Sequence, residues 1–241
     1  MKGMYIQRHN EAVWIVLRTL LRSKLGASVV MHDAGHCHDK AALREVQAAE
    51  WELEHEEALH QTQPDPEPEG PQHNTSPRIK NQLGTRIPAW VYDTPLGETQ
   101  TAIEWNKYRP DILIAVRGDE RADRIDSFHT RKIHIVEIKY CRDTDRSMQS
   151  MRAENQHARL CDALIRVGYR PDQVRMHIIT LGATGTIYKD TQNTLATLGV
   201  DTKAARRQCC TALHRHAVAY IRKILKTKWA QEHAIQQRGM G

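Results

Sequence analysis

The chain contains a single phenylalanine in 241 residues, and aromatics make up only 5% of it. Its core must therefore be built mainly from aliphatic side chains. No apolar run approaches the roughly 18 residues a helical membrane span requires, so no membrane partner is expected. The opening Met1-Lys2-Gly3-Met4-Tyr5 lacks the hydrophobic stretch of a secretory signal. The five cysteines, Cys37, Cys141, Cys161, Cys209 and Cys210, form no CxxC pair and no even framework. That pattern excludes a disulfide scaffold and suits free thiols in a reducing compartment. Internal repeats are absent. Acids are absent from residues 203–228, which carry eight Lys and Arg.

What is present is unevenly charged. Residues 39–69 hold ten acids against Lys40 and Arg44, a local charge of −8 in a chain of net +6. The basic remainder suits a polyanion partner, or an ordinary solvated basic helix. A length of 241 residues allows one full core with an insertion. Residues 9–25 read as a helix, with Val13, Val16, Leu17, Leu20 and Leu21 at helical spacing, Asn10 as a possible cap and Gly26 as its end. Residues 27–32 read as a short buried strand. An acidic helix is expected over 40–60, followed by a Pro-rich stretch, so residues 36–84 read as an insertion with little core of its own.

Core character returns at Thr85-Arg86-Ile87-Pro88-Ala89-Trp90-Val91-Tyr92. Two strands follow, Arg109–Val116 and Ile133–Tyr140, joined by a nearly all-polar segment that suits an exposed hairpin connection. A helix over 147–167, a strand over 174–181, a short helix over 190–198 and a long basic helix from Asp201, its expected N-cap, to at least Trp229 complete the pattern. The order predicts a single α/β domain over 1–241, with helices covering a central sheet.

Chemistry concentrates on the two central strands. Alternate side chains of a strand share a face, so Glu137 and Lys139 point the same way. With Asp111 beside them, two acids and a lysine would surround one point, the equipment for holding a divalent metal against a phosphate. Other matches exist. Asp201-x-Lys203 sits at a helix start, Pro64-Asp65 lies in the Pro-rich stretch, and no acid-x-Lys strand follows Pro171-Asp172. Only Pro110-Asp111 and Glu137-Ile138-Lys139 lie on neighbouring predicted strands. The bland alternative is a pair of edge-facing charges with solvated partners.

Pro110-Asp111 followed by Glu137-Ile138-Lys139 resembles the PD-(D/E)xK, or restriction-endonuclease-like, nuclease superfamily, as does the element order. A narrower resemblance spans residues 5–200. Tyr5–Val13, Arg86–Trp90, Arg109–Ile112, Gln156–Leu160 and Leu181–Tyr188 look like the C-terminal endonuclease domain of non-LTR retrotransposon polyproteins. No reverse-transcriptase region is present and no zinc-knuckle Cys/His set lies upstream of Arg8, so the chain is expected to be the endonuclease portion alone. The resemblance implies an αβββαβ core with a mixed sheet, plus the basic helix over 201–230 packed on it. It implies an Mg²⁺- or Mn²⁺-dependent endodeoxyribonuclease that nicks a genomic target. DNA would be the partner, with element RNA and a reverse-transcriptase domain as further partners, and a nuclear location if the element is eukaryotic. A repair or junction-resolving nuclease of the same fold, or a decayed nucleic-acid-binding remnant, are the alternatives.

On this reading Asp111, Glu137 and the main-chain carbonyl of Ile138 bind the metal, and Lys139 orients the attacking water. Gln156, on one helical stripe with Leu160, Leu164 and Val167, is expected to point inward, either as a fourth catalytic group or as a buried polar residue satisfied by backbone. Glu11 reads chiefly as a solvated helix-start carboxylate, secondarily as a further acid. Arg142 would contact phosphate or pair with Asp143 or Asp145. Arg206, Arg207, Arg215, Arg222 and Lys223, opposite an apolar face of Leu213, Ala217, Tyr220, Ile224 and Leu225, would meet DNA phosphates. His32, His36, Cys37, His38 and Asp39 invite a zinc reading, but no second ligand pair completes it. The adjacent Cys209 and Cys210 suit a helix core.

Overall fold

In a computed structural model of the chain, residues 2–35, 85–97, 102–118, 123–142 and 145–238 are described. The expected acidic helix over 40–60 and the whole 36–84 insertion lie outside these residues, and with them His36, Cys37, His38 and Asp39 of the zinc reading.

The elements run α1 (Lys2–Leu21), β1 (Val29–His32), α2 (Ala89–Tyr92), α3 (Ala102–Trp105), β2 (Ile112–Val116), α4 (Arg124–Thr130), β3 (Lys132–Cys141), α5 (Arg146–Arg166), β4 (Val174–Gly182), α6 (Lys189–Thr197) and α7 (Lys203–Arg238). The four strands form one mixed sheet in the order β1-β2-β3-β4. The pairs β1–β2 and β2–β3 are antiparallel, and β3–β4 is parallel. A parallel pair needs a crossover, and α5 supplies it. The expected α/β class holds.

Helices cover both faces of the sheet. On one face, Ile112, Ile114, Val136, Ile138, Ile179 and Leu181 pack with Val13, Leu17 and Leu20 of α1, Leu195 of α6 and Leu213 of α7. On the other, Leu113, Ala115, Ile133 and Ile135 pack with Leu160 and Leu164 of α5. A strand buried on both sides reads as a continuous apolar run, and β3 shows it: Ile133 to Ile138 are all buried, the acid Glu137 included. Among the described residues no helix is long and apolar enough to cross a membrane.

Several local expectations change. Helix α1 starts seven residues earlier than its apolar spacing suggests, so Asn10 lies inside it and is no cap. Residues Gly26–Ser28 form a 3-10 turn, and the strand begins only at Val29. A Cβ on Gly26 would stand 2.2 Å from the Leu21 carbonyl oxygen, so the turn needs a residue without one. The polar connection between β2 and β3 is not a plain hairpin. It contains α4, capped by Asp123, whose carboxylate accepts the Ile125 and Asp126 amides at 2.9 and 2.8 Å. Its Phe128, the chain's one phenylalanine, is fully buried against Tyr169. The Gln173 amide then donates to the carbonyls of Phe128 and Arg131 at 2.9 and 3.0 Å, locking α4 to the turn before β4.

At the start of α7 the cap is Thr202, whose hydroxyl accepts the Ala205 amide at 3.1 Å. The expected cap, Asp201, instead pairs with Lys24 at 2.9 Å. The buried face of α7 is Cys209, Cys210, Leu213, Ala217, Tyr220 and Ile224, while Leu225 is 58% exposed rather than part of that face. Cys141, Cys161, Cys209 and Cys210 are free thiols, and burial pushes the Cys209 thiol up to about 11, the state of a core residue.

Candidate active site

The register of β2 against β3 builds the site. Ile112 stands opposite Val136, which brings Asp111, one residue before the strand, to the level of Glu137. Pro110, itself buried, precedes it at the strand entrance, where a missing amide costs no ladder bond. The Asp111 amide donates to Glu137 Oε2 at 3.4 Å, and the Ile138 amide donates to Asp111 Oδ2 at 2.7 Å. Glu137 is therefore tied to the main chain of Asp111, and Asp111 to that of Ile138, the residue after Glu137. Both are buried, Asp111 at 6% and Glu137 at 2% exposure.

Glu137 and Lys139 share a strand face as their spacing requires, and Lys139 Nζ lies 2.5 Å from Glu137 Oε1. Lys139 also donates to Gln156 Oε1 on α5 at 2.9 Å. The expected quartet of Asp111, Glu137, Lys139 and Gln156 thus converges. Gln156 does so differently from expectation: it is exposed at the rim of the site, not directed inward. The inward position on α5 belongs to its neighbour His157, which is buried on the stripe of Ala153, Leu160 and Leu164. His157 Nε2 donates to Glu137 Oε2 at 2.7 Å.

A second histidine enters from α1. His9 Nε2 lies 3.0 Å from the Ile138 carbonyl and 3.3 Å from Asp111 Oδ2. A carbonyl only accepts, so Nε2 carries the hydrogen. Neither histidine was singled out from the sequence. The usable signal for His157 was its place at i, i+3 and i+7 with Leu160 and Leu164, which put a polar ring on a core stripe. For His9 there was none, because only the tertiary packing of α1 across the sheet brings it to Asp111.

The electrostatics follow from burial and partners. Burial pushes the Asp111 carboxyl up, the Glu137 charge adds to this, and the bond from His9 offsets only part. Burial also pushes Glu137 up, but the hydrogen bonds from His157 and Lys139 outweigh it and hold the carboxyl below its usual range. Burial lowers His9, yet the bond and the charge of Asp111 raise it above an ordinary histidine. Asp111 thus remains a buried acid with incompletely offset charge, the state a bound cation would relieve. The donor set fits a hard cation: two carboxylates and the Ile138 carbonyl, all oxygen. Among the described residues no three His, Cys, Asp or Glu side chains form a ready-made cage. Two carboxylates with the remaining positions left to water is the ligation that Mg²⁺ favours.

The other expected site residues lie elsewhere. Glu11 is neither at a helix start nor solvated: it is half-buried, accepts the Tyr220 hydroxyl at 2.8 Å and faces His216 at 3.5 Å, joining α1 to α7. Arg142 is exposed just past β3, beside the site's strand end. Arg206 is half-buried and donates from one guanidinium nitrogen to the carbonyls of Val200 and Asp201 at 2.6 and 2.5 Å. Arg207, Arg215, Arg222 and Lys223 are exposed along α7. His32 contacts the Ala34 amide and the Trp14 ring.

Comparisons with protein-family models, with curated proteins and with solved structures find no match for this chain.

Proposed function

We propose that the chain is a metal-dependent DNA endonuclease of the PD-(D/E)xK kind, acting by phosphodiester hydrolysis. The observation that carries the reading is the convergence of Asp111, Glu137 and Lys139 from two adjacent strands, with both acids buried and the ammonium 2.5 Å from one of them. Burying two carboxylates together is costly; the partners of Glu137 outweigh that cost, but those of Asp111 offset only part of it, and a bound cation would supply the rest. The sheet order and the α5 crossover are compatible with the core that the resemblance implies, without being peculiar to it.

Asp111, Glu137 and the Ile138 carbonyl would hold Mg²⁺ or Mn²⁺. When bound, such an ion supplies Lewis acidity toward a phosphate and lowers the pKa of its water. The chain's own residues do the rest. Lys139 brings a positive charge to where negative charge grows on the phosphate, and its reach to Gln156 fixes its direction. His157 orients the Glu137 carboxylate from behind. His9 holds the Ile138 carbonyl and Asp111 in register. The narrower resemblance extends the proposal to nicking of a nuclear genomic target for retrotransposon integration, with element RNA and a reverse transcriptase as partners.

Nicking of supercoiled plasmid tests this. Activity is expected with Mg²⁺ or Mn²⁺ and none with EDTA. Asp111→Asn, Glu137→Gln and Lys139→Ala should each lower the rate by roughly a hundredfold or more while the circular dichroism spectrum is kept. Wild-type rates in any of these three would sink the assignment.

A further inference from the structure

We infer that the outward face of α7 is a nucleic-acid-binding stripe on which Trp229 stacks against an unpaired base. The buried face of α7 ends at Ile224: from Leu225 to His233 no side chain is buried, only Thr227 is half-buried, and Trp229 is 69% exposed. At 1.5 Å per residue, that is about 13 Å of largely exposed helix. A large aromatic at that exposure contributes little to the core, and among the described residues its ring neighbour is His233, edge-on at 5.3 Å.

The periodicity of α7 places this tryptophan among cations. At 3.6 residues per turn, Arg215, Arg222, Leu225, Lys226 and Trp229 fall within an arc of about 100°. That arc lies opposite the buried Cys209, Leu213, Ala217, Tyr220 and Ile224. Arg215, Arg222 and Lys226 are all exposed. Arg222 and Lys226 are four apart, a like-charge pair that disfavours the helix, and no acid occurs between Lys203 and Gln231 to relieve it. A polyanion would relieve it. A second copy of the same face would add further cations, so charge argues against self-association through this stripe. Phosphates can occupy the cations while a base lies on the indole, the combination used for single strands. In a duplex the bases are already stacked on each other, so only an unpaired base gains from Trp229.

The inference rests on the nucleic-acid reading of the chain, not on its cleavage chemistry. Fluorescence anisotropy of a labelled 20-nucleotide oligo(dT) and of a 20-base-pair duplex, in EDTA, tests it on the full chain. Trp229→Ala should weaken oligo(dT) binding by roughly five- to 150-fold and leave duplex binding nearly unchanged, with Trp229→Phe recovering part of the loss. Arg222→Ala combined with Lys226→Ala should weaken both ligands. Equal affinity of Trp229→Ala and wild type for oligo(dT), or an equal loss on both ligands, overturns the stacking role. A wild-type dimer that Trp229→Ala turns into monomer on sedimentation also overturns it, in favour of self-association. Wild type that binds oligo(dT) in EDTA but fails to nick plasmid with Mg²⁺ leaves the stripe standing and removes the nuclease. Binding to neither ligand removes the stripe, and the nuclease reading then stands or falls on plasmid nicking with Mg²⁺ alone.

Discussion

Glu137 is the residue around which the site is organised. Its carboxylate is bound by His157 from α5 and Lys139 from its own strand, and it accepts the Asp111 amide from the neighbouring strand. A lysine two residues along a strand is legible as a same-face partner; a histidine from a helix beyond the crossover is not. Two other histidines carry a different consequence. His134 and His177, on β3 and β4, share a hydrogen bond at 2.9 Å, and burial, then the charges of His177, Arg175 and Lys132, push His134 down to about 4. A histidine held neutral in the fold but free to protonate when unfolded costs stability as pH falls below its ordinary 6.5, and the loss continues down to the folded value. His134→Leu removes that proton linkage. Between pH 7.5 and 5 wild type should therefore lose about 1–2 kcal/mol more than His134→Leu in urea titrations. Parallel pH curves for the two proteins would show that His134 protonates in the fold as easily as outside it.

At the scale of elements, α1 does three jobs. Its apolar side fills one sheet face, its His9 reaches Asp111, and its Arg8 and Glu11 bind α7. The Arg8 carbonyl accepts from His216, and the Arg8 guanidinium lies 3.9 Å from the centre of the Tyr140 ring. The Gly26 turn returns the chain so closely that a Cβ would meet backbone rather than a movable side chain. Gly26→Ala should cost about 2 kcal/mol, measured by denaturant unfolding, and should blunt nicking by shifting α1 and with it His9. Unchanged stability would mean the turn opens without cost. The connection through α4 teaches the converse: a polar segment with one phenylalanine holds a capped helix because Phe128 is anchored and Gln173 collects its carbonyls.

Over the whole molecule, the net charge of +6 is presented largely by α7, with Arg207, Arg215, Arg222, Lys223, Lys226 and Lys228 all exposed. Binding carried by about three phosphate contacts should show a slope of about −3 in a plot of log affinity against log salt for duplex DNA. A flat plot would rule out α7 as the electrostatic footprint. The order of the strands and of the long helices was legible from periodicity, because the aliphatic runs of β2, β3 and β4 are long and cleanly bounded, but the short helices α2, α3 and α4 carry too few periodic apolar positions to show. Helix ends were less so: α1 begins at Lys2, where no residue signals a cap, and Thr202 displaced Asp201 because Lys24, distant in sequence, claims the aspartate. Periodicity does not fix the direction of Gln156, because one helical stripe admits either of two neighbours, and packing chooses His157.

The sequence by itself determined the α/β alternation, the shared face of Glu137 and Lys139, and the basic character of α7, since each depends only on local period and charge. The tertiary structure alone decided that Asp111 stands level with Glu137, since register depends on which strands pair. It also decided that His9 and His157 complete the cluster, and that α7 outruns its buried face and leaves Trp229 in solvent. Those features depend on contacts between residues far apart in the chain, and no periodicity encodes them.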